Sequence, residues 1–179
     1  MYNNKQSANT FIRNMYSPGF SCLRLSLFKM NLTFCFNPYT GTDNRGLSQY
    51  CKKTFLSTTI NYEGAALFYF IAMSIVKGTD SDTQIEATVQ CNNNTSLTFE
   101  YKPDQNNQMT AYMVIRKNDE VIPFMFSSHP YTVRENGQMV TKVIQSELIA
   151  FAKILDGYLS CIGAERHFSK LTDEDFENQ

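Results

Sequence analysis

The chain has 179 residues, 42% of them hydrophobic and 18% charged, with a formal net charge of −1. That length suits one domain able to bury roughly two-thirds of its unfolded surface, and the apolar content excludes a disordered chain. Charge is uneven along it: Lys and Arg outnumber Asp and Glu by 8 to 2 over residues 1–77, then trail by 8 to 11 over residues 78–172 and by 0 to 4 over residues 173–179, so a basic surface for a polyanion and an acidic end that mimics one are both expected.

In chain order, residues 1–18 are polar and lack an apolar run; they read as a flexible arm before a domain spanning 19–165. Leu23, Leu25 and Leu27 then alternate with Arg24, Ser26 and Phe28, which is a strand with one apolar face. From Leu32 the apolar set is Leu32, Phe34 and Phe36, so the parity has flipped. A bulge or sharp bend is required between Phe28 and Asn31, and Lys29 sits in it. Beyond the bend Asn31, Thr33 and Cys35 face away from the Phe pair until Asn37-Pro38 ends the strand, and Tyr39 to Gln49 reads as a loop. Cys51 to Thr59 is expected to return as a strand carrying Lys52, Lys53 and Phe55.

Asn61 is a good N-cap, Glu63 falls in the first turn where the dipole favours it, and Gly78 closes a helix of about four turns. Its run of Ala65, Leu67, Phe68, Phe70, Ile71, Ile75 and Val76 predicts burial on nearly all sides, in the core or against another subunit. That run is too short to span a bilayer. Further strands are predicted near 84–91, 95–102, 109–116, 121–127 and 131–143, the last folded at Glu135-Asn136-Gly137. Leu97, Phe99 and Tyr101 share one face, Ile122, Phe124 and Phe126 another, and Tyr112 and Arg116 can project from the same side of their strand. A closing helix runs from about Ser146 to Ile162, with Gly163 beyond it and an unexplained Gly157 inside. The expected class is α+β: a block of antiparallel strands followed by a helix, written twice.

The chemistry of catalysis is not visible. The histidines are His129 and His167, and there is no H-x-x-x-H, G-x-S-x-G, phosphate-binding or dinucleotide-binding glycine motif. Cys161 and His167 read as a buried thiol and a surface imidazole, and Glu147 and Asp156 as solvated helix surface. No enzyme, cofactor or metal is expected. The five cysteines are odd in number and never spaced C-x-x-C, which suits structural thiols in a reducing compartment: the cytoplasm, or the host cytoplasm for a phage protein.

Nucleic-acid binding has better support. The chain carries 14 Phe and 10 Tyr but no Trp, and it interleaves rings with cations on strands, as a stacking platform for single strands requires. Phe34, Phe36, Phe99, Phe124 and Phe126 are expected in the core. Lys29, Asn31, Thr33, Lys52, Lys53, Phe55, Tyr101, Tyr112, Arg116 and Lys117 are the candidate binding residues, because their polar atoms must stay wet or partnered.

The segment Phe28-Lys29-Met30-Asn31-Leu32-Thr33-Phe34-Cys35-Phe36-Asn37-Pro38 resembles the motif of the Whirly family of single-stranded DNA-binding proteins and their phage and kinetoplastid relatives. That motif runs Lys-Gly-Lys, then small and aliphatic residues, then Phe-x-Pro; Lys29, Phe36 and Pro38 match, and Met30 and Asn31 depart from it. Asn61-Tyr62-Glu63-Gly64 resembles the family's first-helix entry and Thr141 through Gly163 its final helix, so the likeness spans about residues 20–163. It implies two roughly perpendicular four-stranded sheets, helices at the centre of an oligomer, a homotetramer, and single strands bound along sheet edges between protomers.

Residues 166–179 form an acidic C-terminal tail. Asp173, Glu174, Asp175, Phe176 and Glu177 resemble the tails by which bacterial and phage single-stranded DNA-binding proteins recruit replication enzymes; the alternative is a solubilising end. The sequence as a whole reads as a sequence-tolerant single-stranded DNA-binding protein of replication or recombination, of a phage. An RNA-binding or RNA-annealing protein, and a virion or assembly protein, are the alternatives.

Overall fold

The computed structural model describes residues 10–28, 31–79, 83–92 and 94–163. Lys29 and the tail residues Asp173, Glu174, Asp175, Phe176 and Glu177 lie outside the described residues, as does His167.

The expected plan of two sheet-and-helix units is corrected by this architecture. Among the described residues there are eleven strands in three sheets and two α-helices, with strand at 55% and helix at 21%, a mostly β protein. Strands β1 (Thr10–Ser17), β2 (Ser21–Phe28), β3 (Asn31–Thr42), β4 (Ser48–Tyr50) and β5 (Leu56–Ile60) form a five-stranded antiparallel sheet. Helix α1 (Tyr62–Val76) follows, then β6 (Ile85–Gln90), β7 (Thr95–Pro103), β8 (Met109–Lys117) and β9 (Glu120–Met125) make a four-stranded meander. The pair β10 (His129–Glu135) and β11 (Gln138–Ile144) stands as a separate two-stranded sheet before α2 (Ser146–Tyr158), which runs on into a wider π-helical turn over Leu159–Gly163.

The first sheet departs from expectation at three places. Thr10–Ser17, expected in the N-terminal arm, is instead the edge strand β1, paired with β2 from Thr10↔Leu27 to Ser17↔Ser21. The parity flip after Phe28 is a hairpin, with Leu27 opposite Leu32 and Phe28 opposite Asn31. Because each pair joins an odd to an even number, one apolar face holds both leucine sets without a bulge.

The third departure is the expected strand over Cys51–Thr59, which is split. β4 and β5 lie end to end along the same side of β3, separated by residues 51–55 opposite Asn37 and Pro38. Proline has no N–H, so the ladder cannot close there. Cys51 N–H donates to the Pro38 carbonyl at 2.8 Å, while the returning bond to the Cys51 carbonyl comes from Asn37 Nδ2, also at 2.8 Å. The four residues that follow, 52–55, have no ladder partner on β3, and Lys52, Lys53 and Phe55 are therefore loop residues.

One core joins the two large sheets and both helices: Leu23, Leu25, Phe34 and Phe36 from the first sheet, Phe99, Met113, Ile115 and Phe124 from the second, Phe68, Ile71 and Ala72 from α1, Leu148, Phe151 and Leu155 from α2. Each such side chain contributes about 1.5–3 kcal/mol on burial. Ring contacts tie the layers, Phe34 to Phe151 at 6.1 Å and Phe68 to Phe99 at 6.3 Å. The caps fall as expected, with Asn61 Oδ1 accepting from Gly64 N–H at 2.9 Å and Gly78 in the left-handed region at φ +78°. At the β10–β11 turn Asn136 (φ 49°) and Gly137 (φ 83°) both take positive φ, the type I′ geometry that Asn-Gly favours. Burial of α1 on nearly all sides does not hold within the chain, since Phe70 is 73% exposed and Leu67 41%. No helix of the described residues is long and apolar enough to cross a membrane.

Candidate nucleic-acid interface

The inward phase of β2 and β3 decides what faces out. With Leu23, Leu25, Phe34 and Phe36 fully buried, alternation turns Cys22, Arg24, Asn31, Thr33, Cys35 and Asn37 to the outer face of the first sheet. Of these, Arg24, Asn31, Thr33 and Cys35 were legible from the alternation of β2 and β3; what the sequence could not place is the flank. β1 adds Asn14 and Tyr16 on one side, and β4 with its following loop adds Ser48, Gln49, Tyr50, Cys51, Lys52 and Phe55 on the other. The result is a groove of about 510 Å3.

Rings dominate one wall. Tyr16 and Tyr50 lie with centroids 5.6 Å apart and Tyr39 follows at 6.0 Å from Tyr50. Tyr16 and Phe55 are each about half-exposed, which leaves ring surface for a planar partner. Arg24 is braced over the Phe11 ring at 5.4 Å, and Lys52 lines the same groove. None of the described groove-lining residues is a carboxylate, so the two cations are not neutralised from within. Asn14, Asn37 and Gln49 supply amides.

The groove's thiols differ from one another. Burial, with a contribution from neighbouring Cys35 and an offset from Arg24, pushes Cys22 up to about 11. Burial also raises Cys35. Cys51 is shifted the other way, first by hydrogen bonding from Thr54 and also by the charge of Lys53; the Thr54 N–H lies 3.3 Å from its Sγ. Among the described residues no group of three metal-ligating side chains occurs.

Further along β3, the outer face continues into a cleft between the two large sheets. Thr33, Ser57, Thr59, Asn92 and Lys117 line it together with Phe28, and Asn31 lines an adjoining recess with Asn61 and Gln90. From Asn31 to Asn37 the outer face of β3 extends about 20 Å.

The predicted binding residues thus divide. Asn31, Thr33, Lys52, Phe55 and Lys117 lie along this face, with Lys53 exposed in the loop beside Lys52. Tyr101 does not: it is only 3% exposed, part of the core, with its hydroxyl accepting from Gln145 Nε2 at 3.5 Å. Tyr112 and Arg116 occupy the outer face of the second sheet instead. There Glu100 is buried and receives Arg116 Nη2 at 2.9 Å and Lys102 Nζ at 2.5 Å, while Lys102 sits over the Tyr112 ring and Phe20 packs against it. Arg116 also donates to Thr98 Oγ1, so its guanidinium is engaged rather than free for a phosphate. Arg24, Tyr16 and Tyr50 line the groove but were not among the predicted residues; Arg24 had a signal, since it sits between Leu23 and Leu25 and must point away from the core.

Comparison with known proteins finds no match: no family model, no curated protein and no solved structure is similar to this chain.

Proposed function

We propose that this protein binds single-stranded DNA with little sequence preference, through the outer face of its first sheet, and acts in DNA replication or recombination in the cytoplasm of a phage-infected host. The carrying observation is the groove itself. Half-exposed rings of Tyr16 and Phe55, with Tyr50 behind them, share one concave surface with Arg24 and Lys52, and no described carboxylate lines it. Rings offer stacking that every base can use, worth about 1–3 kcal/mol per base, and the cations neutralise phosphates. An open groove is accessible to an unpaired strand whose bases are splayed, whereas the bases of a duplex are already stacked. The resemblance to Whirly proteins at Lys29, Phe36 and Pro38 supports the same ligand class, and self-association to a tetramer belongs to the proposal.

The test is a fluorescence titration of labelled oligo-dT against duplex of equal length at two salt concentrations. Single strands should bind more tightly, with log K falling by about 0.7 per neutralised phosphate for each unit of log salt. Tyr16→Ala should weaken binding about tenfold and Arg24→Gln should reduce the salt slope by about 0.7. A duplex preference, or affinity independent of salt, would overturn the assignment. Competition with RNA of matched sequence separates the two kinds of single strand.

A further inference from the structure

The hairpin of β10 and β11 stands apart from the core. Seven residue pairs join its strands, from His129↔Ile144 to Glu135↔Gln138, yet none of its strand residues is buried on either face. Among the described residues no third strand pairs with it. A lone two-stranded hairpin is marginally stable in water, so an added strand would stabilise this one. The register shows which edge is open to it. The two-residue turn Asn136-Gly137 makes Glu135 and Gln138 a hydrogen-bonded pair, and alternation then turns the backbone N–H and C=O groups of Met139, Thr141 and Val143 outward from β11. On β10 the outward positions are Arg134, Thr132 and Pro130, and the proline removes a donor from that edge. β11 has neither proline nor bulge, and its one charged side chain, Lys142, is paired with Glu135 of the same hairpin.

We propose that the outer edge of β11 pairs antiparallel with β11 of a second copy of this chain, about a two-fold axis at Thr141. A second copy is the occupant because the edge complements itself. With Thr141 opposite its own counterpart, Met139 falls opposite the counterpart of Val143, and all three are positions whose N–H and C=O already point outward, so each pair exchanges both backbone hydrogen bonds. Met139 is 63% exposed and Val143 65%, and threonine pairs and apolar pairs are favourable across a ladder. The same register sets Val140, not Lys142, opposite the counterpart of Lys142, so like charges are not brought face to face. The product is a four-stranded sheet with a β10 on each outer edge, where Pro130 opposes further growth, and association closes at two copies. This surface is distinct from the exposed face of α1. A closed tetramer of dihedral symmetry requires two different two-fold interfaces, and the β11 edge supplies one of them.

The inference rests on the self-association included in the proposed function and is independent of nucleic-acid binding. The experiment is sedimentation velocity of the intact protein over a concentration series, without nucleic acid, for the wild type and for Thr141→Pro, Thr141→Lys and Thr141→Asp. Thr141→Pro removes the central outward donor at a position where the hairpin's own ladder does not use it, and Thr141→Lys or Thr141→Asp sets like charges against each other on the axis. Each variant alone should weaken association at this interface at least about tenfold. Mixing the Thr141→Lys and Thr141→Asp proteins should restore it, because opposite charges then meet; this recovery also shows that neither variant had merely lost its fold. A wild-type oligomer whose subunit count and concentration dependence are unchanged in all three variants would overturn the β11 interface and leave self-association through another surface. Absence of recovery on mixing would equally overturn the two-fold at Thr141. A wild-type monomer would remove both this interface and the self-association on which it rests, and leave the edge to an extended segment of a different protein.

Discussion

At the scale of single residues, two glycines in helices behave oppositely. A Cβ at Gly157 of α2 would meet nothing within 4 Å, whereas one at Gly64 of α1 would lie 3.1 Å from both Asn61 Oδ1 and Val89 Cγ1. Gly157→Ala should therefore stabilise the fold by about 0.5–1 kcal/mol, and Gly64→Ala should fail to stabilise it because the new methyl presses on the cap and on β6. Denaturant midpoints of the two variants check this. Glu100 makes a second case. Burial by itself would raise its carboxyl, but hydrogen bonds and charge from Lys102 and Arg116 outweigh that and hold it below the ordinary value. Its contribution is present above the unfolded glutamate value of about 4.3 and is lost as pH falls below it toward the folded value. Glu100→Gln should cost about 1–2 kcal/mol at neutral pH, reduced by the exposure of both cationic partners, and should flatten the acid limb of melting temperature against pH. Tyr101 shows why such residues are misread: a hydroxyl calls for a partner, and the half-buried Gln145 amide beside it supplies one at 3.5 Å.

Among elements, legibility followed local chemistry. The Asn61 cap, the Gly78 stop and the Asn136-Gly137 turn each need a particular backbone or a particular donor, and all three stand where the sequence placed them. β1 was hidden because a bulge between Phe11 and Arg13 breaks its alternation, so its inward Met15 and outward Tyr16 do not continue the phase of Phe11. The split of β4 from β5 depends on a proline in the neighbouring strand, which no window along residues 48–60 contains. Their loop is nonetheless where Lys52 and Phe55 reach the groove, so the part of the site hardest to read locally is the part set by pairing across the sheet. Asn61→Ala should lower stability by about 1 kcal/mol, measured by chemical denaturation, because the Gly64 N–H would lose its acceptor.

For the whole molecule, the largest apolar surface left uncovered on a helix belongs to α1, where Phe70 is 73% exposed and Leu67 41%. If the chain self-associates as proposed, these two side chains are the place on its helices where a second copy would cover apolar surface. Light scattering at micromolar concentration should find an oligomer, and Leu67→Ser with Phe70→Ser should shift it toward monomer; a wild-type monomer would remove tetramer formation from the proposal. The acidic tail belongs to this scale as well. Deleting residues 173–179 should tighten oligo-dT binding chiefly at low salt, where screening extends about 30 Å at 0.01 M, and Phe176→Ala should leave it nearly unchanged. Unaltered affinity of the truncated protein at low salt would show that the tail does not compete for the groove.

Both large sheets are built mainly from strands that pair with their immediate neighbours in sequence, β1 through β4 in one and β6 through β9 in the other. Each can zip from its hairpin turns with small loop-closure entropy, whereas contacts between α1 and α2 join segments far apart in the chain. The folding nucleus is thereby available twice, once on either side of α1, and the costly event is the meeting of two preformed halves. Substitutions in the helix pair should then leave the early formation of strand signal untouched and alter how long the halves stay together, which makes the helices the determinants of kinetic persistence and the turns the determinants of speed.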